Sequence, residues 1–209
     1  MSFIYFEKAL RMIGWNPMNE KEALKVIEEM ITVTRQEIKD NGFYYFFWGW
    51  LVFVAAITNV VILKYELLEF HSISWVVLMP LGGIVTAIKG RFDQKKESAV
   101  KTYVSQSMQA CVIAFSISLF VVCFAMPIGA QWKAFYPTIM MVYAIWLFIS
   151  GKLLQFKPLL FGGYLNWLLA LIGFIFPNTL LHLSLIALGV LGGFIIPGHL
   201  LNRRSVSNV

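Results

Sequence analysis

Residues 42–63 read GFYYFFWGWLVFVAAITNVVIL, and none of them carries a charge. A hydrocarbon core about 30 Å thick is crossed by roughly 20 apolar residues at about 1.5 Å each, so the interval from Asn41 to Leu63 is long enough to be a transmembrane helix. Phe43 to Phe47, with Trp48 and Trp50, stand where the interfacial aromatic belt belongs. The competing reading is an aromatic-rich core helix of a soluble domain. It conflicts with the rest of the chain, because 59% hydrophobic and 13% charged residues leave too little polar surface for 209 residues.

Working outward, five more apolar runs qualify as spans: 73–88, 108–128, 135–150, 159–176 and 180–200. From Pro158 to Asn202 there is no Asp, Glu, Lys or Arg, which is too long for one span and fits two joined at Pro177-Asn178. The predicted fold is all-α: a six-helix transmembrane domain over 42–202, preceded by a cytoplasmic helical region (1–41) and followed by a short cytoplasmic tail (203–209). With the N-terminus placed inside, 15 of the 17 Lys and Arg residues fall on the cytoplasmic side, and only Lys64 and Lys133 fall outside. That asymmetry predicts both termini in the cytoplasm of a bacterial inner membrane. It also accounts for the net charge of +6 through topology and anionic lipid, without nucleic acid.

Asn19 followed by Glu22 reads as an N-cap and its reciprocal acceptor, opening a helix through Lys39. Leu24, Ile27, Ile31, Thr34 and Ile38 recur at steps of three and four, with Glu20, Lys21, Lys25, Glu28, Glu29 and Glu37 on the other faces. Three destinations are open for this stripe: the ends of its own bundle, a partner helix or second copy, and lipid. A polar face of mixed charge weighs against lipid. Met18, just ahead of the capping pair, is an alternative start. The N-terminal SFIYFEKALRMIG lacks a signal-peptide layout.

The spans pair into three hairpins whose second helices end alike: GGIVTAIKG at 82–90, AIWLFISGK at 144–152 and GGFIIPGH at 192–199. A tandem hairpin repeat explains this, as does convergent bilayer chemistry. The run AIWLFISG followed by Lys152, with this layout, resembles the HdeD-type family of six-span membrane proteins over residues 43–200. The motif NGFYYFFWGWLVF resembles uncharacterised six-span proteins of Bacteroidota. The first resemblance implies a link to acid resistance; the amphipathic N-terminal helix departs from that pattern.

Intramembrane enzymes and proton-driven pumps usually need ionisable groups inside the bundle. None of the six predicted spans has an internal Asp, Glu, Lys or Arg, and the last acid of the chain is Glu97. No phosphate-binding loop, Cys-x-x-Cys or His-Glu-x-x-His occurs, so no catalytic residue, metal site or cofactor is implied. His71 and His182 fall at predicted outer positions and form at best a two-ligand pair; interfacial polar histidines are the commoner case. Cys111 and Cys123 lie about 18 Å apart along one helix and cannot pair, and are read as small buried residues.

The polar residues inside the spans are Asn59, Thr58, Thr86, Ser116, Ser118, Asn166 and Ser184. Asn59, Ser116, Ser118 and Asn166 are candidates for a polar path or for helix contacts, and contacts are the commoner use. Gly189 with Gly193, and Gly83 with Ala87, are candidate small-residue packing surfaces. Pro80, Pro127 and Pro197 are candidate kinks. The expected function is non-enzymatic: interaction with a cytoplasmic partner or a second copy, in regulation or envelope stress, through the stripe of Leu24, Ile27, Ile31 and Ile38. The rival is a small transporter or channel for a neutral or lipidic substrate.

Overall fold

The computed structural model describes residues 20–67, 73–94, 103–128 and 132–207, with side chains in 42–67, 73–92, 106–125, 128 and 133–203. Every regular element among them is helical: α1 (Glu20–Tyr65), α2 (Ile73–Gln94), α3 (Tyr103–Ile128), α4 (Trp132–Leu153), α5 (Lys157–Ile175), α6 (Thr179–Val190), a π-helical turn (Leu191–Ile195) and α7 (Ile196–Ser207). The chain divides into two compact units at Gln36. The described part of the first is helical; the amphipathic stripe lies in side chains outside the described set.

Among the described residues, six helices are long and apolar enough to cross a membrane: Gly42–Tyr65, Ile73–Phe92, Gln106–Ala125, Lys133–Leu153, Lys157–Ile175 and Thr179–Arg203. The protein is a multi-pass membrane helix bundle. The second and fourth spans run beyond the predicted 73–88 and 135–150. Charge ends a hydropathy reading at Lys89 and Lys133, but it does not end a helix, because long basic side chains reach out to water while their stems stay apolar. The helix expected through Lys39 and the first span are one element, since α1 runs on without interruption. Gly42 within it serves a close approach, since a Cβ there would lie 3.2 Å from the Asn202 nitrogen.

α4, α5 and the sixth span form the centre with α1. A five-ring cluster joins them: Tyr45 of α1, Phe115 of α3, Tyr143 and Trp146 of α4, and Phe194 of the π-helical turn, at centroid distances of 5.0–6.1 Å. α2 is pinned to α1 by Ser74 Oγ donating to Ala55 O (3.2 Å) and Trp48 Nε1 donating to Thr86 Oγ1 (3.1 Å). α3 packs chiefly on α4, and most of its surface faces outward. The exposed side chains are overwhelmingly apolar, among them Val76, Ile84, Ile113, Phe120, Leu168 and Leu171. This is the reverse of a soluble domain and matches a lipid solvent.

Two helix ends close on a residue other than glycine in the left-handed region, Glu66 (φ 50°) and Gln155 (φ 49°). After α4, Phe156 N–H donates to Gly151 O (2.9 Å) and Gln155 N–H to Lys152 O (3.3 Å). This is the Schellman pairing, and it turns α4 straight into α5. Pro158 then sits in the first turn of α5, where a missing N–H costs nothing.

Candidate functional site

The polar interior lies where α5 crosses the sixth span. The contact is backbone to backbone: a Cβ on Gly162 would fall 2.6 Å from the Gly193 Cα. Only glycine at both positions permits this. Asn166, one turn on from Gly162 and fully buried, donates through Nδ2 to Gly162 O at 2.8 Å and to Gly189 O at 3.0 Å. Exchanging its oxygen and nitrogen would aim an acceptor at two carbonyls, so this orientation is forced. Its Oδ1 is buried without a hydrogen bond. It lies 2.6 Å from where a Gly189 Cβ would stand, so the Gly189 Cα–H points toward it, a weak donor at best.

The π-helical turn Leu191–Ile195 follows at once, with Ile196 N–H reaching back five residues to Leu191 O. Its cause is in the sequence. Pro197 cannot donate to Gly193 O, and its ring would crowd that carbonyl in a regular α-helix. Gly192-Gly193 lets the widened turn lie against Leu165 and Asn166. Such turns recur at functional positions in helices. Beyond it, Gly198 and Gly49 bring the span against α1: a Gly198 Cβ would meet Phe46 N at 2.7 Å, and a Gly49 Cβ would meet Ile195 Cγ1 at 2.9 Å.

At the opposite end of α5, His182 is 2% exposed and its Nε2 lies 2.8 Å from Gly173 O. In an uninterrupted helix that carbonyl would accept from residue 177, which is proline and has no N–H. The histidine therefore supplies the missing donor, which assigns its proton to Nε2. Asn178 caps α6 by accepting from Leu181 N–H at 3.0 Å. His71, the other member of the predicted histidine pair, lies outside the described residues. Among the described residues no three His, Cys, Asp or Glu side chains gather as a metal site.

Several predicted residues take other positions. Ser116 and Ser118 are exposed on α3, and Ser118 Oγ donates to Ala114 O of its own helix (2.8 Å). Among the described residues α3 turns that face outward, so neither hydroxyl is placed in the interior of the bundle. Gly83 and Ala87 are also exposed, and nothing lies within 4 Å of a Cβ at Gly83. Its neighbour Gly82 makes the close approach, to Leu51 and the Trp48 ring. Cys123 is exposed rather than buried, and both cysteines are free. Asn59 is buried at 2% exposure on α1.

Sequence reading missed three features: the Gly162–Gly193 contact, the proline-orphaned Gly173 carbonyl, and Tyr45. The Tyr45 hydroxyl is buried without a hydrogen bond, while Ser150 Oγ donates to Trp146 O at 2.6 Å. The histidine cap was the findable one, because Pro177 names the carbonyl that loses its donor. Compared with known proteins, the chain matches no protein-family model, no curated protein and no solved structure.

Proposed function

We propose that this protein is a non-enzymatic interaction protein of the bacterial inner membrane, with both termini cytoplasmic, acting in regulation or envelope stress through the helical segment at 19–40. The observation that carries this reading is Asn166. It is the most buried amide of the spans, and both its donors go to main-chain carbonyls of α5 and α6. A polar group spent on joining helices is what a rigid membrane platform needs, whereas a translocation path needs polar groups turned toward a solute. The lack of internal Asp, Glu, Lys or Arg in the spans favours the same class. The likeness of AIWLFISG to HdeD-type proteins supports the envelope-stress setting.

The test is cross-linked co-purification from native membranes. Deleting residues 19–40 should leave the bundle folded and remove the co-purifying protein; a cross-linked complex unchanged by the deletion refutes the reading. A transporter for small neutral solutes is the second reading, favoured by the π-helical turn and the orphan Asn166 Oδ1. It predicts glycerol or urea flux in proteoliposomes that Asn166→Leu abolishes.

A further inference from the structure

The α4–α5 hairpin carries a panel of three aromatic rings on its outward side, with a lysine turned back onto it. On α5, Phe161, Tyr164, Leu168 and Leu171 recur at steps of three and four and are 56–71% exposed, so they form one outward stripe. On α4, Met141, Ile145 and Phe148 recur in the same way, the first two 40% and 46% exposed. The two stripes adjoin, because the Phe148 ring centroid lies 5.7 Å from that of Tyr164 and 5.4 Å from that of Trp167. Tyr164 and Trp167 close the triangle at 6.0 Å. Glycines lock the seam underneath: a Cβ on Gly163 would lie 3.1 Å from Ala144 O, and one on Gly151 would lie 3.0 Å from the Leu160 nitrogen. The rings therefore stand on a rigid two-helix face.

Lys152 continues the α4 stripe, four residues beyond Phe148 and in the last turn of α4. Helical side chains lean toward the N-terminus, which for α4 is toward the hydrocarbon. A lysine at a span end usually corrects this by extending to water. Lys152 keeps the inward course, with its ammonium 5.8 Å from the Phe148 ring centroid, although the span ends one residue later at Leu153. Attraction to the ring offsets part of the cost of holding a cation at that depth. The hairpin itself supplies no anion, since the chain has no Asp or Glu after Glu97. Lys157 opens α5 across the turn, two turns ahead of Tyr164 on the same face, so this end of the hairpin is net positive.

We propose that this face seats one anionic phospholipid, its phosphate on the Lys152 ammonium and its acyl chains along the seam of Ile145, Tyr164 and Leu168. Charge complementarity fixes the sign of the headgroup, and the apolar stripes below it call for a lipid rather than a soluble phosphate. A panel already ordered by the glycine-locked helices costs little to organise on binding, which sets a retained lipid apart from the mobile annulus. The seat uses none of residues 19–40, so its test is separate from that of the proposed function.

The experiment is native mass spectrometry of the full-length protein titrated in detergent with phosphatidylglycerol or phosphatidylcholine. Wild type should retain one phosphatidylglycerol in preference to phosphatidylcholine. Lys152→Gln should weaken that retention about five-fold, and Lys152→Arg should preserve it. Lys157→Gln, two turns from the Tyr164 ring, should weaken it less, and Lys64→Gln with Lys133→Gln, at the other end of the bundle, should not change it. Size-exclusion profiles identical to wild type establish that the variants are folded. Equal retention of the two lipids by wild type, or undiminished phosphatidylglycerol on the Lys152→Gln protein, overturns the proposal. Equal losses from Lys152→Gln and Lys157→Gln would mark diffuse surface charge in place of a seat, and full displacement by millimolar glycerol phosphate would mark a soluble phosphate; either result overturns it as well.

Discussion

At the scale of single residues, the informative positions are those where one local rule is broken and a neighbour compensates. Gln155 occupies the left-handed region that glycine prefers, at a cost of about 1 kcal/mol. Gln155→Gly should therefore raise resistance to SDS unfolding in mixed micelles by up to about 1 kcal/mol, even though it removes every side-chain contact there. Pro177 strips Gly173 O of its helical donor, and His182 replaces it. His182→Leu keeps comparable volume but leaves a buried carbonyl unpaired, so it should destabilise by about 1–3 kcal/mol in the same assay. Asn166 yields a comparison of variants. Asn166→Leu removes the donors and the orphan acceptor together and should cost about 0.5–2 kcal/mol. Asn166→Asp brings acceptors against two carbonyls and should lower the unfolding midpoint further than Asn166→Leu does.

At the scale of elements, the existence of the spans was legible and their joints were not. The uncharged runs predict six helices because the bilayer demands internally satisfied backbone over a fixed thickness, and that constraint is local in sequence. Which glycine meets which is not local. GGIVTAIKG offers Gly82 and Gly83 on equal terms, and only the placement of Leu51 and Trp48 selects Gly82. Asn166 stood out as polar in an apolar run, but its role depends on Gly189, 23 residues away. Pro197 was visible as a helix disturbance, and the π-helical turn ahead of it needed the backbone. The glycine joint makes a sharp prediction: Gly162→Leu puts a side chain into the Gly193 backbone and should separate α5 from the sixth span. Cysteines placed across that joint in a cysteine-free background should then lose their disulfide cross-link.

At the scale of the whole molecule, the distribution of Lys and Arg and the lipid-facing surface belong to one argument. The exposed surface is apolar along the spans, and the bases gather at their ends. With the inside-positive orientation, a cysteine at Lys95 in a Cys111→Ser/Cys123→Ser protein should react with an impermeant maleimide only in inverted vesicles or broken cells. A cysteine at Lys133 should react in intact spheroplasts. The opposite pattern would invert the topology while leaving the bundle as it stands.

α3 leans on its neighbours along one edge, chiefly that of α4, and turns the rest of its girth to the acyl chains. Its seating is accordingly a matter of solvent more than of protein. In a bilayer of short-chain lipids, where its 26 residues overshoot the hydrocarbon, α3 should tilt or detach while the glycine-joined centre keeps its form. Membrane thickness would then act on this fold at one identifiable helix.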